Sequence, residues 1–448
     1  MLRTDLATDP VAPDPSPAGR PAPDRRAFEE AAHESARYLQ VRSVTEGLAE
    51  PLSAEDCQVQ SMPDASPVKW HLAHTTWFFE TFVLAAFEPG YRPFHPAFRM
   101  LFNSYYEAVG AKHPRPRRGL LSRPSLDEVL AYRRHVDDAM GRAIGRHAGR
   151  GGFDAIVELG LNHEQQHQEL ILTDAKHMLS CNPLLPEYFP DAGAAAGPAQ
   201  AAVAAPLRWL GHAGGIVRIG HAGGGFCFDN ETPAHDALLR PFQLASRPVT
   251  EGELLAFVED GGYRRPELWL SAGWDTVRAA GWQAPMYWRQ ADDGWRVYTL
   301  RGERPLAPAA TAAHLSYYEA DAYARWAGAR LPTEAEWEAA ALARPPAGDD
   351  NLLDALPRDP GPARGATDLQ RLYGDVWEWT ASPYTAYPGY RPAEGAIGEY
   401  NGKFMCDQWV LRGGSCATPR THVRATYRNF FPAQARWQFS GLRLARDE

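Results

Sequence analysis

The chain has 448 residues, more than one ordinary hydrophobic core holds, so two or three domains are expected. Apolar residues make up 44% and charged residues 23%, an ordinary globular balance, while 14 tryptophans suggest loops pinned by large rings. A net charge of −9 without a basic stripe argues against nucleic acid, and no apolar run approaches the roughly 20 residues of a membrane helix.

Residues 1–26, rich in Pro, Asp and Ala, lack an apolar signal region and are expected to be a disordered lead-in. The five cysteines, Cys57, Cys181, Cys227, Cys406 and Cys416, form no CxxC pair; a reducing cytoplasm fits them. Residues 27–190 read as helical. One helix is expected from about 27 to 44, before Gly47. A second opens at Ser66-Pro67, with Ser66 as N-cap, and stops before Pro89-Gly90. A third covers about 125–147. The fourth begins near Phe153 and carries LNHEQQHQELILTDAKHML, so a four-helix bundle is expected. Residues 191–206 read as an Ala/Gly/Pro-rich linker. From 207 to 448, short runs such as GIVRIG, FCFDN and WVLRGGS alternate with turns. Capping boxes at Thr250/Glu253, Ser316/Glu319 and Thr333/Glu336 mark three short helices, which predicts an α+β domain with a small irregular sheet.

The sharpest chemical signal is His163-Glu-Gln-Gln-His167, whose histidines share a helix face and can reach one metal ion. The string also matches the HExxH of zinc proteases, where the glutamate is the base. A third ligand could come from His71 or His74, three residues apart on the second helix, and pattern alone leaves both open. Asp174 and His177 continue the stripe of His163 and His167, so a merely polar stripe is the competing reading.

KWHLAHTTWFFETF and HEQQHQEL together resemble the DinB-like bundle of ergothioneine-biosynthesis sulfoxide synthases. FDNETPAH, RPVTEGELLAFVEDGGY, YYEADAYARWAGARLPTEAEWE, GDVWEWTASPY and LRGGSCAT resemble the formylglycine-generating-enzyme (sulfatase-modifying-factor) domain, a C-type-lectin-like fold. YRNFFPAQARWQFSGLRLARD is similar to the synthases' tail. The resemblance covers roughly residues 30–446. It implies a multidomain α and α+β protein, a non-haem iron oxidoreductase with Fe(II) held by His74, His163 and His167. It implies O2, hercynine and a thiol, cysteine or γ-glutamylcysteine, as reactants, and leaves His71 without a role.

By the same resemblance, Gln166 hydrogen-bonds the betaine, and Asn429 and Phe430 meet its carboxylate and trimethylammonium. Phe431 stands where one branch of the family has an acidic residue for γ-glutamylcysteine. The chain looks more like the branch whose NSYYEAVG element supplies active-site tyrosines, here Tyr105 and Tyr106, one of them the expected proton donor. Arg115, Arg117 and Arg118 are candidates for the thiol's carboxylate, with Arg115 first. Glu378 in VWEWTASP reads as structural.

Three rivals differ in class. A formylglycine-generating oxidase needs paired C-terminal cysteines five apart, and Thr421 stands where Cys416 would find its partner. A zinc hydrolase and a non-catalytic lectin-like binding module are the others. A selenoneine synthase using a selenosugar donor is the nearest relative reading.

Overall fold

The computed structural model describes residues 25–189, 204–355, 359–363 and 368–448. Nearly all of the expected lead-in and most of the expected linker lie outside them.

The first half is built on four long helices. α1 (Arg25–Ala49) runs through Gly47 instead of stopping near residue 44. Tyr38, Val41, Thr45 and Leu48 bury one continuous face, and that packing outweighs the cost of about 1 kcal/mol for a helical glycine. α2 (Val68–Phe78) is buried at every position. Its N-cap is Pro67, with no side-chain cap, not Ser66. Ser66 is drawn elsewhere: its N–H donates to Asp174 Oδ2 (2.8 Å) and its Oγ accepts from Arg118 Nη1 (2.9 Å). α2 passes into a π-helical turn, Phe79–Leu84, and one last turn, α3 (Ala85–Phe87). A short α4 (Phe98–Leu101) precedes α5 (Leu126–His147), which Ser125 and Glu128 open with a capping box. α6 (Gly151–Ser180) crosses the bundle centre. A Cβ on Gly160 of α6 would stand 2.6 Å from the Phe79 ring and 2.9 Å from that of Phe78, so glycine permits this close crossing.

Inside the bundle, Glu164 of α6 pairs with Arg42 of α1 (2.8 Å) and Arg133 of α5 (3.1 Å). All three side chains are buried, and Arg42 and Arg133 also donate to Thr76 of α2.

The described residues of the second half form four small sheets. β1 (Trp209–His212), β4 (Phe242–Ala245) and β12 (Ala445–Asp447) form one, so the last strand pairs with an early one. β2 (Gly215–Ile219) and β3 (His235–Leu239) make a hairpin. β5 (Trp288–Ala291), β6 (Gly294–Thr299) and β7 (Gly302–Pro305) form a meander. The fourth sheet has the order β10–β9–β8–β11, from β8 (Trp377–Pro383), β9 (Gln408–Arg412), β10 (Asn429–Pro432) and β11 (Ser440–Gly441). Helices α7 (Glu251–Glu259), α9 (Tyr317–Trp326) and α10 (Glu334–Ala341) carry the three expected capping boxes. α8 (Ser271–Ala280), unannounced by any capping residue, ends on Gly281 at φ +64°. FCFDN is not a strand; it leads into the 3-10 turn Asp229–Glu231, which is held by Arg424 and Thr426 on Glu231. Glu378 is structural, accepting from Trp337 Nε1 (2.7 Å) and Arg443. No helix among the described residues is long and apolar enough to cross a membrane.

One face of α6 joins the halves. Gln165 Nε2 donates to Thr421 Oγ1 (2.6 Å). Glu169 Oε1 accepts from Trp377 Nε1 (3.0 Å), Ser415 Oγ (2.7 Å) and Thr418 Oγ1 (2.7 Å). Two turns on, Lys176 Nζ meets His314 Nε2 at 2.8 Å.

Burial alone would raise the Glu164 pKa, but Arg42 and Arg133 hold it down at about 2. Glu164→Gln removes the buried anion that two guanidinium groups share, leaving Arg42 only Asp137 and Arg133 only Glu46 among the described residues, and should lower unfolding free energy by about 3 kcal/mol in urea titrations at pH 7. Because the folded pKa is depressed, the stabilisation is present above the unfolded value of about 4.3 and lost as pH falls toward the folded one. The variant should lack that part of the acid-side loss of stability.

Candidate metal centre and substrate cavity

Helical spacing puts His163 and His167 on one face of α6, and α2 crosses it with His74. One ring nitrogen from each of the three lies within 4.8 Å of the others, and all three residues are buried. His74 Nδ1 donates to the Phe102 carbonyl (2.6 Å), which leaves Nε2 with its lone pair and no hydrogen-bond partner. Neither nitrogen of His163 has a partner. Burial presses all three pKa values down, that of His163 to about 3, so each imidazole is neutral near pH 7. Buried, unpartnered, neutral nitrogens that converge from two helices fit a divalent first-row ion such as iron, zinc, copper or nickel.

Aromatic packing fixes the ring planes. Trp70 stacks on His74 (4.5 Å, 14°), and His74 on Trp77 (5.4 Å, 16°). Phe78 and Tyr400 close on His163 at 4.9 and 5.6 Å. His71, which had no expected role, is not an idle helix-face residue. Its Nδ1 is 2.8 Å from His167 Nδ1, and its Nε2 is 3.1 Å from Asp174 Oδ2. Glu164, the residue a zinc hydrolase of the HExxH type would use as base, gives both oxygens to Arg42 and Arg133 instead.

Beside the histidines a cavity of about 470 Å³ opens between the two halves. His71, His167, Tyr105, Arg115, Arg118, Gln166, Asn429, Phe430 and Phe431 reach it; Tyr106 and Arg117 do not line it. Tyr106 is fully buried against Trp77 (5.6 Å) and Phe82 (5.1 Å). Arg117 is exposed. Arg115, also exposed, donates to the Asp64 carbonyl. Arg118 is the better placed of the three arginines, because it is buried and faces the cavity. It lies 3.3 Å above the Trp70 ring, donates to Ser66 and Ser104, and has no carboxylate partner among the described residues; its Nε has no partner at all. Burial, and then the charge on Arg115, disfavour its cation, which invites an anion.

Gln166 is held from both ends. Its Oε1 accepts from Tyr400 OH, and its Nε2 donates to Tyr427 OH (2.7 Å). Tyr427 OH is 2.9 Å from His422 Nε2, and His422 Nδ1 donates to Asn162 Oδ1 (3.0 Å), one turn before Gln166. This loop of hydrogen bonds fixes which way the Gln166 amide points. Phe430 stacks on Tyr384 (4.0 Å), and Phe404 stands 6.0 Å from Phe430 and 5.2 Å from Tyr105. Phe431 lines the cavity edge against Trp437 (5.8 Å).

Tyr400, Tyr427 and His422 escaped the sequence reading. They lie in loops more than 230 residues from Gln166 or in its immediate partners' segment, and no spacing rule links them to HEQQH. Asp174 was visible as part of a stripe, but not as a partner of His71.

Residues 37–171 match the DinB superfamily, and residues 209–352 and 362–448 match the sulfatase-modifying factor enzyme 1-like domain. A hercynine oxygenase of Mycolicibacterium thermoresistibile is 34% identical over 414 residues, covering 86% of this chain and 88% of that one. A hercynine oxygenase of Mycobacterium tuberculosis is 33% identical over 419 residues, covering 88% and 94%. Ergothioneine biosynthesis protein 1 of Schizosaccharomyces pombe is 27% identical over 243 residues, covering 50% of this chain and 28% of that protein. With both domain types in this order and two relatives matched along most of their length, the chain belongs to the hercynine oxygenase family, oxygenases of the ergothioneine pathway.

Proposed function

We propose that the chain is an iron- and O2-dependent sulfoxide synthase that joins cysteine or γ-glutamylcysteine to C2 of the hercynine imidazole. The observation that carries this reading is the convergence of three neutral imidazoles, each with a ring nitrogen left over for a metal, beside a cavity with a buried arginine lacking a carboxylate partner among the described residues on one side and an aromatic wall on the other. Ferrous iron at His74, His163 and His167 would supply oxygen activation and a lowered thiol pKa. The electrons balance without a cosubstrate: loss of the thiol S–H and imidazole C2–H as the C–S bond forms gives two. Oxidation of sulfur gives two more. One oxygen atom ends on sulfur and the other leaves as water.

The chain's own groups bind and orient. Arg118 takes the carboxylate of the thiol substrate, with Arg115 at the rim. Gln166, its amide locked by Tyr400 and Tyr427, keeps one N–H for the betaine. The Asn429 amide meets the betaine carboxylate. Phe430, backed by Tyr384, offers its face to the trimethylammonium. Tyr105 lines the cavity, and burial raises its pKa, so it holds its proton near pH 7 and donates it toward the oxygen that ends on sulfur. Tyr106, behind it, positions the Tyr105 ring at a centroid distance of 4.7 Å.

Fe(II)-loaded protein mixed with hercynine, O2 and each thiol separately should give a sulfoxide adduct by mass spectrometry with at least one thiol. No adduct with either would reject the reaction. Arg118→Ala should raise KM for the thiol by about 10- to 100-fold, the worth of one hydrogen bond to a charged group, with kcat changed far less. Arg117→Ala should leave both constants unchanged. Tyr105→Phe should divert oxygen toward plain thiol oxidation, and product ratios in Tyr105→Phe that match wild type would remove this phenol from the chemistry.

A further inference from the structure

The feature that the proposed reaction leaves unused is the pair His71 and Asp174. Both are buried, at 2% and 4% exposure, directly behind one metal-ligating histidine. Asp174 Oδ2 already accepts the Ser66 N–H at 2.8 Å, so toward His71 Nε2 it is an acceptor again. His71 must therefore donate from Nε2. A neutral imidazole with its hydrogen on Nε2 carries a lone pair on Nδ1. That lone pair faces His167 Nδ1 at 2.8 Å, a hydrogen-bond distance that only an N–H on His167 Nδ1 can satisfy. His167 is then left with its lone pair on Nε2, the remaining ring nitrogen and the one free for a metal.

Charge tells the same story. Three neutral imidazoles bring no negative charge to a divalent ion. Asp174 is a buried carboxylate whose sole ion-pair partner among the described residues is His71, and its Oδ1 has no hydrogen-bond partner. No arginine or lysine among the described residues forms an ion pair with it; Arg118 is linked to it only through Ser66, which donates its N–H to Asp174 and accepts from Arg118. A buried carboxylate with no directly paired cation is costly, and a metal ion beyond His71 and His167 would add the positive charge it lacks.

We infer that Asp174 and His71 are positioning residues, an anionic relay that fixes the His167 tautomer through two hydrogen bonds and balances the charge of the metal. The inference rests on the three-histidine centre of the proposed function. It also separates the two histidines of the HLAH element: His74 ligates and His71 orients a ligand. Histidine suits the second task because it accepts on one side while donating on the other.

The test is an anaerobic titration of the full-length apoprotein with Co(II) and Fe(II), following Co(II) absorption bands and the Fe(III)/Fe(II) potential, with thermal unfolding of each apo variant as the control for folding. His71→Phe keeps an aromatic ring but neither nitrogen and should weaken metal affinity by about 10- to 100-fold. His71→Asn, which retains an oxygen acceptor near the Nδ1 position, should recover part of that loss. Asp174→Asn keeps the shape, removes the charge, and should shift the Co(II) bands and raise the potential. Should His71→Phe fail to fold, His71→Asn and Asp174→Asn carry the decision. Wild-type affinity and an unmoved potential in folded His71 and Asp174 variants would overturn the relay while leaving the centre standing. A wild-type chain that takes up neither ion would overturn the centre and the relay with it.

Discussion

The rotation of α6 about its own axis is the constraint on which the site depends. A helix advances about 100° per residue, so one turn points in several directions that cannot be adjusted separately. Glu164 points into the bundle, where Arg42 and Arg133 grip it. His163 and His167 then face α2, and Asn162, Gln165, Gln166 and Glu169 face the second domain. Any roll of the helix that improved one set would break the others. The ion pair that looks merely structural therefore aims His163, His167 and the Gln166 amide together.

Sequence legibility followed the range of the interactions. The i, i+4 pair His163/His167 is local and was readable, as were the capping boxes at Thr250, Ser316 and Thr333, each closed within three residues. The choice between His71 and His74 was not, because it turns on what packs behind each ring: the Phe102 carbonyl for His74, Asp174 for His71. Ser66 had a good cap sequence but was drawn away by Asp174, 108 residues later, and by Arg118. Among the arginines, spacing in HPRPRRG could not show that Arg118 alone turns inward, onto Trp70. The hydrogen-bond loop through Tyr400, Tyr427 and His422 spans two domains and has no sequence period. The family resemblance supplied the His74 assignment that local patterning could not.

The cavity wall at Arg118 and the histidine cluster behind it are linked by packing. Arg118 lies on Trp70, Trp70 on His74, and His74 on Trp77, a continuous stack from the buried arginine into the histidine cluster. The guanidinium of Arg118 and the ring plane of His74 thus share one column, so a shift at either is felt at the other.

The pairing of β12 with β4 bears on how the chain assembles. The sheet that opens the second domain lacks its edge strand until residue 447 has left the ribosome, whereas the four-helix half is complete more than 260 residues earlier. Domains that emerge first fold first, so the bundle waits with the outer side of α6 uncovered. That side is built of Asn162, Gln165, Gln166, Glu169 and Lys176, groups that water solvates well while their partners are still being made. A greasy seam would have made the waiting half an aggregation hazard. A hydrogen-bonded seam lets synthesis proceed in order.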